Sequence, residues 1–138
     1  MLWNWLLRKR GRVGLSAELS RTLAGAAELI LSAQLTPREV RAVCRTAAQR
    51  LYQLPEAERS AICGHLELVE RLVPLLSRTG RSFSALSVEG RRKCIQGCEK
   101  SWWPLLNRGH AQLRHLILMA YMDCHEAWPS SARPAPVA

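Results

Sequence analysis

The stretch from Thr36 to Pro55, TPREVRAVCRTAAQRLYQLP, decides the fold class because it carries both a helix start and a helical periodicity. Thr36, Pro37 and Glu39 form a capping box with proline in the first helical position, where its missing N–H costs no hydrogen bond. The apolar side chains that follow recur at helical spacing, at Val40, Val43, Cys44, Ala47, Ala48, Leu51 and Leu54. This stripe predicts an amphipathic helix. The opposite face, which points to solvent or to a partner, carries Arg38, Arg41, Arg45 and Gln49.

Four other segments repeat this helical pattern, so the sequence predicts an all-α fold, a single bundle of about five helices with no sheet. Serines at positions 16 and 87 are placed to cap two of these helices. The four segments run from Ser16 to Leu35, from Pro55 to a stop near Gly80 with a kink or early end at Pro74, from Ser87 to Cys98, and from Leu105 to Cys124. The apolar stripe predicted for the last one comprises Leu105, Leu106, Leu113, Leu116, Ile117, Ala120 and Tyr121.

Length and composition predict one folded domain. The chain has 138 residues, of which 48% are hydrophobic and 22% are charged, as in globular domains and unlike disordered chains. We divide it into a basic, Trp-containing N-terminal segment at 1–14, a helical bundle domain at 15–128 and a flexible Pro/Ala tail at 129–138.

The formal net charge of +9 invites a nucleic-acid or anionic-membrane interpretation. No zinc-finger, RNP or basic-zipper spacing is present, so we expect no specific nucleic-acid binding, and an acidic partner surface explains the same charges.

Trp3 and Trp5, followed by the basic run Arg8 to Arg12, suit either peripheral contact with a membrane or packing on a partner. No apolar run approaches the roughly 20 residues of a membrane span, and the start lacks the order of a signal peptide. Five cysteines, an odd number, favour a reducing compartment, so we expect a cytoplasmic protein, membrane-peripheral if the N-terminal segment binds lipid.

Catalytic and metal motifs are missing from the sequence. Cys94 and Cys98 lie one helical turn apart upstream of several histidines, but a buried stripe explains this spacing better, because free cysteine packs as a small hydrophobe. His65 near Glu67 and Glu70 is the best acid–base candidate, with a second around Cys124, and lone histidines of this kind are usually structural. We therefore predict no enzymatic activity and assign no catalytic, cofactor-binding or metal-binding residue.

The tryptophans are the more informative feature. There are five in one small domain, and several lie at breaks or chain ends where a core is hard to reach. They either cap the bundle or bind a partner, since tryptophan is enriched in interfaces. Under the second interpretation the partner-binding residues are Trp102, Trp103, Tyr121, Trp128, Trp3 and Trp5.

The second half of the chain resembles a known family. The resemblance is carried by FSALSVEGR at Phe83 to Arg91, by SWWPLLNRGHAQLRHLILMAY at Ser101 to Tyr121, and by the closing Glu126, Ala127 and Trp128. These motifs resemble the small proteins grouped with gluconate 2-dehydrogenase subunit 3, and the first half fits more loosely through Leu15 to Leu23 and Leu51 to Pro55.

The resemblance implies a function in a complex. Members of this group look like partners of glucose-methanol-choline (GMC) type FAD oxidoreductases, and a similar helical region precedes the flavin domain of long-chain alcohol oxidases. It implies a non-catalytic accessory subunit that binds and stabilises a large flavoprotein subunit, with the FAD and the catalytic histidine in that partner. The alternative from the residues alone is an independent basic helical module that binds nucleic acid or an anionic membrane surface.

Overall fold

The computed structural model describes residues 15–31, 35–76 and 80–127, and within these ranges the chain is helical with no strand. There are five principal helices, which confirms the predicted all-α bundle. They are α1 (Ala17–Leu31), α2 (Pro37–Gln53), α3 (Glu56–Glu67, continued by Leu68–Leu72 and Val73–Leu76), α4 (Val88–Glu99) and α5 (Pro104–Ala127). The predicted segments 1–14 and 129–138 lie outside the described residues.

Three helices begin at the caps that the sequence predicts. Ser16 Oγ accepts a hydrogen bond from the backbone N–H of Leu19 at 3.2 Å. Thr36 and Glu39 form the complete capping box, with both reciprocal hydrogen bonds present. The Ser87 hydroxyl accepts from the N–H of Gly90 at 3.2 Å. Each cap satisfies a helix N–H that has no partner within the helix.

Helical structure continues through Pro74 to Leu76, the last residue described before position 80. The helix widens into a π turn at Leu68–Leu72, in which the N–H of Val73 donates to the carbonyl of Leu68. A proline inside an α-helix clashes with the carbonyl four residues earlier, which here belongs to Glu70. The extra residue in the π turn accommodates the proline ring, so the irregularity expected at Pro74 takes the form of a π bulge just before it.

The core lies around α5, which packs against each of the other four helices. Its buried face includes Leu106, Leu113, Leu116, Ile117 and Ala120, all members of the predicted stripe. Leu105, also placed in that stripe, is exposed. At about 100° per residue, Leu105 falls at the margin of the buried face and in the first turn of the helix.

An ion pair joins α2 to α5. Arg50 of α2 forms an ion pair with Asp123 of α5, with 2.6 Å between Nε and Oδ2.

Within the described ranges, no helix combines enough length and apolar character to cross a bilayer.

Candidate partner-binding site

The corner between α4 and α5 has a backbone that is fixed by its own hydrogen bonds. Ser101 Oγ accepts from the N–H of Trp103 at 3.1 Å, and the Ser101 carbonyl accepts from Asn107 Nδ2 at 2.8 Å. The Trp103 carbonyl in turn accepts from the N–H groups of Leu106 and Asn107, at 3.0 and 3.1 Å. Pro104, whose missing N–H is no loss in a first turn, starts α5 at this point. These hydrogen bonds restrain the backbone of the corner between Ser101 and Asn107.

Three large apolar side chains are exposed at this corner, Trp102 for most of its surface and Trp103 and Leu105 in part. The exposed fractions are 89% for Trp102, 38% for Trp103 and 53% for Leu105. We call these three residues the corner patch. Exposed apolar residues that occur singly are common, but three together in four consecutive positions are the kind of surface that a partner covers. Sequence reasoning identified the two tryptophans and placed Leu105 in the core instead.

The other predicted partner-binding residues do not join the corner patch. Tyr121 is only 4% exposed and belongs to the hydrophobic core, with its ring centroid 5.6 Å from that of His125. Burial raises the pKa of the Tyr121 phenol. Trp3, Trp5 and Trp128, together with the basic run Arg8 to Arg12, lie outside the described residues. Among the predicted partner-binding residues that the structure describes, Trp102 and Trp103 are therefore the exposed ones.

The two cysteines considered as metal ligands lie in the core. Cys94 and Cys98 are both buried and belong to the central apolar cluster. Burial raises the pKa of the Cys98 thiol to about 12, so the thiolate needed for metal binding is strongly disfavoured. Among the described residues, no group of three or more histidine, cysteine or acidic side chains is arranged to hold a metal ion.

Two carboxylates near the predicted acid–base candidates, Glu70 near His65 and Asp123 beside Cys124, are engaged in structural contacts. Glu70 is buried, with Oε2 accepting from the Thr22 hydroxyl and Oε1 accepting from the Ser84 hydroxyl at 2.6 Å and from the Ser84 N–H. These bonds tie the π turn of α3 to α1 and to the 3₁₀ turn Phe83–Ala85. Asp123 is bonded to Arg50, which lowers the pKa of its carboxyl. Both carboxylates hold helices together.

Two surface grooves accompany α5. One, of about 400 Å³, has a mixed polar lining that includes Glu28, Glu99, His110 and Arg114. The other, of about 530 Å³, is more apolar and is lined mainly by residues of α2, α3 and α5, among them Ile62 and Met119. Neither groove brings together a nucleophile, a base and a group that orients the base, which is the arrangement that covalent catalysis requires.

Comparison of the chain with models of protein families, with characterised proteins and with solved structures finds no match.

Proposed function

We propose that this chain is a non-catalytic accessory subunit that binds and stabilises the large subunit of a GMC-type FAD-dependent alcohol or sugar oxidoreductase. The observation that carries the proposal is the corner patch, in which Trp102, Trp103 and Leu105 are exposed on a hydrogen-bonded backbone. The class of partner comes from the resemblance of the second half of the chain to the family of gluconate 2-dehydrogenase subunit 3.

The corner patch has two properties of an interface centre. Tryptophan is among the residues that contribute most to binding, because burying one such side chain removes a large apolar surface from water. A side chain on a rigid backbone also loses less conformational entropy on binding than one on a mobile loop. Ser101 and Asn107 provide this rigidity. Both properties support docking of a protein partner at this corner.

The proposal places the chemistry in the partner. In the described part of this chain, the carboxylates of Glu70 and Asp123 are used to join helices. The FAD and the acid–base residues therefore belong to the large subunit in our proposal, and this chain supplies none of them. We place the complex in the cytoplasm, where a chain with five free cysteines is kept reduced.

The test is binding to a GMC-type flavoprotein from the same host. Co-expression followed by affinity purification should yield a complex with the flavin absorbance of the large subunit. Replacing Trp102 and Trp103 together by alanine should weaken binding by about 2 kcal/mol or more, roughly 30-fold in Kd. The far-UV circular dichroism should remain that of the wild type, because both side chains are exposed.

Leu75 provides a matched control, since it is exposed and apolar but lies on α3. Leu75→Ala should bind the flavoprotein as tightly as the wild type. Wild-type affinity of the double tryptophan variant would place the interface elsewhere. Failure of the wild-type chain to bind any such flavoprotein from its host would overturn the proposed class of partner.

A further inference from the structure

The outer face of α2 carries a row of three arginines. Arg38, Arg41 and Arg45 are all exposed, and their steps of three and four residues place them on one side of the helix. At about 1.5 Å per residue, the row is about 10 Å long. We call these three residues the arginine row.

The arginine row has no counter-charge in the described part of the chain. Arg50, Arg71, Arg91 and Arg92 each have an acidic partner, whereas none of the three arginines in the row forms an ion pair or a side-chain hydrogen bond. Glu39 is the single acid of α2, and its carboxylate accepts from the backbone N–H of Thr36 at 2.9 Å. The positive N-terminal end of the helix dipole adds to the field at Arg38. The row is therefore a concentrated, unneutralised positive surface.

The surroundings of the row distinguish between classes of anionic partner. The remaining exposed positions of α2 are Pro37, Gln49 and Gln53. Protein interfaces usually have an apolar centre, and helices that lie on membranes insert an apolar face. The exposed face of α2 offers neither. A purely polar, linear array of guanidinium groups suits a linear array of phosphates, to which arginine donates bidentate hydrogen bonds.

We infer that the arginine row binds the phosphate backbone of a nucleic acid without reading its sequence. This inference is independent of the proposed accessory function, because it concerns a different helix from the corner patch. It also agrees with the lack of a sequence-reading motif, since phosphate contacts carry affinity and not specificity.

The test measures how salt affects binding to a fluorescently labelled DNA duplex of about 20 base pairs, between about 50 and 200 mM KCl. The wild type should bind, with an affinity that falls steeply as salt rises. The variant Arg38→Gln, Arg41→Gln, Arg45→Gln should lose about tenfold or more in affinity at low salt. Its slope of log affinity against log salt should be shallower by about 3, since each lost phosphate contact removes about 0.9.

A variant with the same charge change at scattered sites controls for net charge. Arg21, Lys93 and Arg108 are exposed on three different helices. The variant Arg21→Gln, Lys93→Gln, Arg108→Gln should change the affinity less than threefold. The double tryptophan variant should bind the duplex like the wild type, which keeps this test separate from that of the accessory function.

Three outcomes would overturn the inference. In the first, the wild type fails to bind the duplex at the lowest salt. In the second, the row variant and the scattered variant both bind the duplex more weakly than the wild type and to the same extent, which would mean that net charge alone acts. In the third outcome, the row would be needed for binding to phosphatidylserine vesicles and not to the duplex, so that a lipid surface would be the ligand.

Discussion

His65 of α3 is a buried histidine. Its side chain is 2% exposed, and neither ring nitrogen has a hydrogen-bond partner within the described part of the chain. Burial, reinforced by the nearby His110, lowers the pKa of His65 to about 4. Burial also lowers the pKa of His110. Both histidines are therefore neutral in the folded protein near pH 7.

This environment predicts a loss of stability in mild acid. The unfolded His65 has a pKa of about 6.5, so below that pH the unfolded chain takes up a proton that the folded chain does not bind until about pH 4. The free energy of unfolding should fall as the pH is lowered through this window, by about 2 to 3 kcal/mol in all from His65. Urea unfolding at a series of pH values between 7 and 4 measures this fall in the free energy of unfolding.

Two variants assign the pH effect. His65→Leu should remove most of this dependence, whereas His115→Gln, at an exposed position of α5, should keep the wild-type profile. A pH profile of His65→Leu that parallels the wild type would show that other groups cause the acid sensitivity.

At the scale of elements, Gly109 sets how closely α5 approaches α3. A Cβ atom placed on Gly109 would overlap the imidazole ring of His65, at 2.7 Å from Cγ and 3.0 Å from Cβ. Because His65 is buried, its ring has no free space to move into. Gly109→Ala should therefore lower the free energy of unfolding by about 1 to 3 kcal/mol, as overpacked core positions do.

Gly97 of α4 supplies the matched control, because nothing lies within 4 Å of a Cβ placed there. Gly97→Ala should raise stability by up to about 1 kcal/mol, since alanine favours the helix over glycine. Denaturant unfolding of both variants compares the two effects. Equal changes in the free energy of unfolding of the two variants would mean that α5 can move away from α3 with little loss of stability.

The helix starts could be predicted from the sequence, whereas the contacts between helices could not. The capping box at Thr36 depends on residues three positions apart, so the local sequence contains all the information. The contact of His65 with Gly109 joins residues far apart in the chain, and so does the hydrogen bond between Thr22 and Glu70. The π turn before Pro74 needed knowledge of the packing that keeps α3 continuous.

The same distinction applies to the candidate site. Trp102 and Trp103 could be identified because the following Pro104 marks a helix start, and residues at a corner reach solvent easily. The sequence pattern places Leu105 in the core although it is exposed, and it places Tyr121 both in the core stripe and in the interface, because α5 is apolar around much of its circumference. Which of its apolar positions are buried is decided by the neighbouring helices.

For the whole molecule, α5 is the element on which all the others depend. It packs against α1, α2, α3 and α4, and buried residues of all five helices belong to one hydrophobic cluster. Loss of α5 would expose the buried faces of all four. We therefore expect the bundle to unfold in a single cooperative transition, as small single domains usually do.

Two leucines of α5 test this dependence with the same chemical change. Leu113 is completely buried in the middle of the helix, whereas Leu105 is 53% exposed at its start. Leu113→Ala should lower the free energy of unfolding by about 2 to 5 kcal/mol, because it leaves a cavity where the helices meet. Leu105→Ala should change it by less than about 0.5 kcal/mol, as surface substitutions do.

Denaturant unfolding followed by circular dichroism and by tryptophan fluorescence gives both values. If the bundle is one cooperative unit, the two probes coincide in every variant, and the Leu113→Ala midpoint shifts for both. Separate transitions, or a Leu113→Ala variant as stable as Leu105→Ala, would show that α5 does not hold the four helices in one unit.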